Sequence, residues 1–175
     1  MHTPTYIQRL GQLVALPSIS SANPKLDMSN LPVVELLATW LEPLGFDCQI
    51  LPIVGHPGKA NLVAQRGVGT GGLVLAGHTD TVPCNPELWQ QDPFSLAERN
   101  NRLYGLGATD MKGFFPAVLA AIERLGPTPL QQPLIVLATA DEESSMSGAR
   151  ALAACRTKNS NPASAPSSIK FSAKI

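Results

Sequence analysis

Two apolar runs constrain this chain most: Leu73-Val74-Leu75-Ala76 and Leu134-Ile135-Val136-Leu137-Ala138. Each has the length and branched content of a buried strand. Each ends abruptly in ionisable residues, the first in Gly77-His78-Thr79-Asp80 and the second in Thr139-Ala140-Asp141-Glu142-Glu143. Between them the pattern predicts a helix over roughly Phe114 to Leu125, with Pro116 tolerable only near its start and Gly126-Pro127 closing it. Strand, helix and strand in that order predict an α/β fold with a mainly parallel sheet and helices on its faces. In such folds the C-terminal ends of the strands carry the site.

The 175 residues suffice for one ordinary domain. Thirteen basic against thirteen acidic residues leave no net charge, which removes any composition argument for nucleic acid or an anionic membrane. No stretch reaches the roughly 18 apolar residues that span a bilayer. Met1-His2-Thr3-Pro4-Thr5 lacks the order of a signal peptide, so a cytoplasmic location is expected. Cys48, Cys84 and Cys155 form no C-x-x-C pair and predict neither a disulfide framework nor a cysteine-bound zinc.

Thr3-Pro4 reads as a cap and first turn for a helix carrying Ile7, Leu10, Leu13 and Val14, stopped near Leu16 by Pro17. Residues 17 to 30 read as a surface loop. A second helix starts near Ser29 or Asn30 and ends at Gly45, with Val33, Val34, Leu36, Leu37, Trp40 and Leu41 on its broad apolar face. Phe46, Cys48 and Ile50 alternate with polar residues as in a strand, and Asn61 to Gln65 reads as another. The glycine-rich link from Gly67 to Gly72 lacks the Gly-Lys-Ser/Thr ending of a phosphate loop and precedes a strand, so it reads as a turn. The segment from Pro83 to Asn101 is long enough to be functional. Residues 147 to 154 begin a further helix. From Cys155 onward the text turns serine-rich, without acidic residues or periodicity, and reads as a disordered or foreign tail.

The strand-end residues gather His78, Asp80, Asp110, Glu142 and Glu143. An imidazole with several carboxylates suits zinc, cobalt or manganese. One Asp can bridge two ions, and such a pair polarises a carbonyl. In a Glu-Glu pair one carboxylate can ligate while its neighbour acts as general base. A carboxylate beside a ligating His can fix its tautomer, the role open to Asp80. Alone, Asp110 reads equally well as a helix cap, and the Glu pair more readily as solvated acids. Together on neighbouring strand ends they read better as a metal site.

Gly77-His78-Thr79-Asp80-Thr81-Val82-Pro83, the run Tyr104 to Gly113 ending in Asp110-Met111-Lys112-Gly113, and Thr139-Ala140-Asp141-Glu142-Glu143 resemble the three N-terminal motifs of the dinuclear zinc aminoacylase/carboxypeptidase family. The resemblance implies a partial three-layer α/β zinc-exopeptidase-like catalytic domain over residues 1–154, with 155–175 unmatched. It implies two divalent metals, Zn2+ or Co2+, with His78 and Glu143 as ligands and Asp110 as bridge. Asp80 would orient His78, and Glu142 would be the general base. The reaction implied is hydrolysis of a small N-acyl amino acid, in an enzyme that dimerises through a second, smaller domain absent from this sequence. The family's further carboxylate and its late His have no counterpart, since no His, Asp or Glu follows Glu143. These residues therefore read as the N-terminal part of such an enzyme, truncated and inactive alone, with an uncovered sheet edge.

Overall fold

The computed structural model describes residues 5–158. Helix α1 (Tyr6–Val14) is capped by Thr5, whose side chain accepts from the Gln8 amide while Gln8 answers on the Thr5 amide. This capping box satisfies two otherwise unpaired donors. The cap expected at Thr3 and Pro4 lies outside the described residues. Helix α2 (Leu31–Leu41) follows, and Gly45 at φ +84° turns the chain out of the helical tail behind it. Strands β1 (Asp47–Pro52), β2 (Ala60–Arg66) and β3 (Leu73–His78) come next. The long segment that follows contains the hairpin of β4 (Ala97–Arg99) and β5 (Arg102–Tyr104). Then come α3 (Phe114–Leu125), β6 (Leu134–Thr139) and α4 (Ser147–Lys158). Helix α4 thus runs on past residue 154, and the rest of the expected tail lies outside the described residues.

The fold is α/β, with the main sheet in the order β1-β2-β6-β3. The expected parallel unit is present: β3 and β6 pair in parallel, with His78 opposite Thr139. The sheet as a whole is not mainly parallel, because β1–β2 and β2–β6 pair antiparallel. Connection length explains the difference. The links after β1 and β2 are too short for the roughly dozen residues of a parallel crossover, so the chain reverses at each. Strand β6 then enters between β2 and β3.

One face of the sheet is covered by the three N-terminal helices. Leu13 of α1, Val33, Leu37 and Leu41 of α2, and Phe115, Leu119 and Ile122 of α3 form one cluster with Leu62, Ala64, Val136 and Ala138. Each large side chain buried there contributes about 1.5–3 kcal/mol. Asn61, which alternation puts on the other face, donates to the Gly148 carbonyl and accepts from the Ala140 amide. Helix α4 therefore begins on that opposite face. Val74 of β3 is left 47 % exposed, at the sheet edge expected to be uncovered.

Residues 17–30 are not wholly a surface loop. Ile19 bridges Thr81, Ser20 donates its amide to the Thr81 carbonyl, and the Thr81 amide returns to Ser18. Ser18, Ile19 and Ser20 are buried by this pairing.

Candidate metal centre

Parallel pairing of β3 and β6 brings both polar loops out at one edge of the sheet. His78 is the last residue of β3, and Glu142 and Glu143 follow β6. Asp110 arrives from an irregular turn over Ala108–Lys112 that leads into α3. The residues separated in sequence converge. His78 Nε2 lies 3.0 Å from Asp110 Oδ1 and 4.0 Å from Glu142 Oε2. One ligand atom from each of His78, Glu142 and Glu143 falls within a 4.8 Å group. His78 is buried, while the Asp110 and Glu142 side chains are 75 % and 48 % exposed, so the cluster faces outward.

Asp80 lies beneath this cluster with no exposure. Its Oδ2 accepts from the Glu143 amide at 3.0 Å, tying the two loops together. Its Oδ1 is buried without a hydrogen-bond partner and lies 3.7 Å from His78 Nδ1. At hydrogen-bond distance from that nitrogen, 3.1 Å, is the Asp80 backbone carbonyl. The carbonyl thus fixes the ring, and the carboxylate supplies negative charge behind it. A buried carboxylate oxygen with no donor fits an imidazole made more positive by a metal on its far nitrogen. The donor set, one imidazole with three carboxylates, fits a divalent ion. Burial pushes the Glu143 carboxyl up; His78 opposes this, and Asp110, Glu142 and Asp80 add to it. Crowded carboxylates of this kind are relieved by a cation.

All five residues singled out from the sequence therefore meet at one place. Others were not legible. Lys112 is wholly buried and donates from Nζ to the carbonyls of Leu13 and Leu16 at 3.0 and 2.6 Å. Burial lowers its pKa to about 8, against an opposing pull from Asp80. The lysine joins the end of α1 to the turn bearing Asp110. Asn30, also fully buried, holds both the amide and the carbonyl of Ala60 and donates to Thr79 Oγ1 beside His78. Thr79 in turn donates to the Thr139 carbonyl. Asp141 turns away from the cluster and accepts from Lys59, Ser20 and Ser147. Burial alone would raise its pKa, but these donors, Lys59 foremost, hold it low. The sequence marks Asp110-Met111-Lys112 and Asp141 as polar; nothing local says that either charge is buried.

The family model described as Peptidase family M20/M25/M40 matches residues 74–168, which include all five site residues. The chain belongs to this family. Acetylornithine deacetylase of Proteus mirabilis is 53 % identical over 151 residues, 86 % of this chain and 39 % of the relative. The acetylornithine deacetylase of Pasteurella multocida is 51 % identical over 84 % of this chain and 38 % of its own length. The chain thus spans about two fifths of the curated relatives it matches. Among solved structures, human carnosine dipeptidase 1 superposes with a TM-score of 0.69 at 26 % identity, covering 79 % of this chain and 32 % of that one. An M20 family metallo-carboxypeptidase of Sulfolobus solfataricus gives 0.65 at 27 % identity, covering 81 % and 32 %. M20 membership makes the chain part of a metal-dependent hydrolase family, consistent with the strand-end cluster. Among the described residues no helix is long and apolar enough to cross a membrane.

Proposed function

We propose that residues 1–154 form the N-terminal part of the catalytic domain of a cytoplasmic metal-dependent amide hydrolase of N-acyl amino acids. The substrate proposed is N-acetylornithine, cleaved with water to ornithine and acetate, the reaction that the relatives' name denotes. The observation that carries this reading is the convergence of His78 Nε2 with the carboxylates of Asp110, Glu142 and Glu143. His78, Asp110 and Glu143 would hold two divalent ions, zinc or cobalt, with Asp110 shared. The ions supply Lewis-acid polarisation of the amide carbonyl when bound. Glu142, half exposed beside the ligands, takes the proton of the attacking water and returns it to the leaving nitrogen. Asp80 keeps His78 turned with Nε2 toward the cluster. Dimerisation belongs to the proposal for the whole enzyme. Turnover by these 175 residues alone is not expected, since no His, Asp or Glu follows Glu143 to complete the ligand set.

The test titrates the chain with Co2+, followed by visible absorption, beside His78→Ala and Glu143→Ala. Binding should be lost in both variants, and binding that survives them refutes the site. Hydrolysis is read in the full-length enzyme as acetate release from N-acetylornithine, with N-succinyl-diaminopimelate as competitor. Glu142→Ala should cost about two to four orders of magnitude in rate. A preference for the succinyl substrate would overturn the specificity proposed.

A further inference from the structure

Next to the Glu142–Glu143 pair in sequence, Asp141 belongs to a buried polar network that the proposed reaction does not use. Lys59, just before β2, has its side chain 3 % exposed, with Nζ 2.9 Å from Asp27 Oδ1 and 2.9 Å from Asp141 Oδ1. Ser20 donates to the same Asp141 oxygen at 3.1 Å, and Ser147 donates to Oδ2 at 2.7 Å. Asp141 adopts φ +58°, in the left-handed region that costs a non-glycine residue about 1 kcal/mol or more. Its carbonyl accepts the Met146 amide at 2.6 Å, closing the loop that holds Glu142 and Glu143. Asp141 thus pairs with Lys59, Ser20 and Ser147, while Glu142 and Glu143 group with His78. Four groups meet the Asp141 carboxylate: the Lys59 ammonium, the Ser20 and Ser147 hydroxyls, and His56, whose Nδ1 lies 3.6 Å from Oδ2; of these the ammonium alone also reaches a second carboxylate, Asp27.

We infer that Lys59 is a positioning residue for the Glu142–Glu143 pair, clamping Asp141 so that the loop after β6 presents both glutamates to His78. This rests on the roles proposed for those glutamates, but its geometry is independent of them. The partners of Lys59 Nζ are Asp27 and Asp141, neither of them a proposed ligand, so it acts through Asp141. The same ammonium, through Asp27, ties the 21–27 segment to this loop, since Asp27 Oδ1 also accepts the Ser21 amide.

The experiment is amide hydrogen exchange on the metal-free chain, resolved by NMR, for the wild type, Lys59→Met, Lys59→Arg and Ser147→Ala. Lys59→Met should lower protection of the Glu143 and Met146 amides about tenfold, the loss expected for one charge-assisted hydrogen bond, and leave Leu62, Ala64 and Val136 unchanged. Lys59→Arg should restore most of it. A residue serving only general stability would lower all of these amides together. That outcome, or unchanged Glu143 and Met146 amides, overturns the inference. If Lys59→Met does not fold, Ser147→Ala is read by the same criteria, because it removes a single neutral donor to Asp141. Co2+ binding measured alongside separates the two readings. Normal binding with unchanged exchange sinks the role of Lys59 alone, whereas no binding by the wild type with local exchange loss in Lys59→Met sinks the metal site alone.

Discussion

Asp80→Asn separates the two contacts that Asp80 makes with His78. The side chain keeps its shape, and one amide oxygen can still accept the Glu143 amide now held at 3.0 Å by Oδ2. The backbone carbonyl stays 3.1 Å from His78 Nδ1. What disappears is the negative charge on Oδ1, 3.7 Å from that nitrogen and shielded from solvent. A full charge pair at that separation is worth about 4 kcal/mol at an effective dielectric of 20. A metal-bound imidazole bears only part of a charge, so about 1.4–2.7 kcal/mol is expected, a 10- to 100-fold loss of affinity. Asp80→Ala should lose this and also leave the Glu143 amide unpaired, a further cost to folding of about 1–3 kcal/mol. The assay is a Co2+ titration of both variants with urea unfolding of the metal-free forms. Asp80→Asn should match the wild type in stability and fail in affinity; Asp80→Ala should fail in both. Wild-type Co2+ affinity in Asp80→Asn would refute the charge argument and leave the carbonyl as the group that orients His78.

Three further outcomes follow from the packing. Asn30→Ala strips partners from the buried amide and carbonyl of Ala60 and should cost about 2–4 kcal/mol in urea unfolding, and a cost below about 1 kcal/mol would contradict the buried-network account. In Gly148→Ala the new Cβ would stand 2.5 Å from Asn61 Oδ1 and 2.6 Å from both Ala140 N and O, so overpacking should cost about 1–3 kcal/mol of stability, seen in calorimetry as a lowered Tm, and an unchanged Tm would show that α4 can shift freely. Burial, with Glu42 and Asp47 adding, pushes the Cys48 thiol from its ordinary 9.0 up to about 11. Between those values the unfolded chain has released the proton and the native one retains it, so stability falls as pH rises from 9 toward 11. Urea unfolding across that window should show this fall reduced in Cys48→Ala, and an identical slope would remove Cys48 as its source.

Much of the candidate site was legible because its residues sit where local pattern changes. Leu73–Ala76 and Leu134–Ala138 announce two strands, and His78, Asp80, Glu142 and Glu143 stand where those runs stop. Helix α3 spans Phe114–Leu125 as its apolar spacing and flanking glycines foretold. Sheet direction was less legible. The crossover rule describes β3–α3–β6, but the insertion of β6 between β2 and β3 has no local signature. In the structure Thr5 and Gln8 cap α1 with two reciprocal hydrogen bonds, a signal that the expected start at Thr3-Pro4, outside the described residues, did not include.

The sequence by itself determined the main strands and helices, though not the β4–β5 hairpin, and which ionisable residues stand at the strand ends, because periodicity and chain breakers act within a few residues. Tertiary structure alone decided which charges go inside. Lys59, Lys112 and Asp141 are as hydrophilic in sequence as any surface residue, and are buried because distant carbonyls, hydroxyls and carboxylates reach them. Ser18 and Ser20 likewise became interior only when their segment paired with Thr81. Burying a polar group is tolerated only with a partner, and those partners lie tens of residues away, where no local pattern records them.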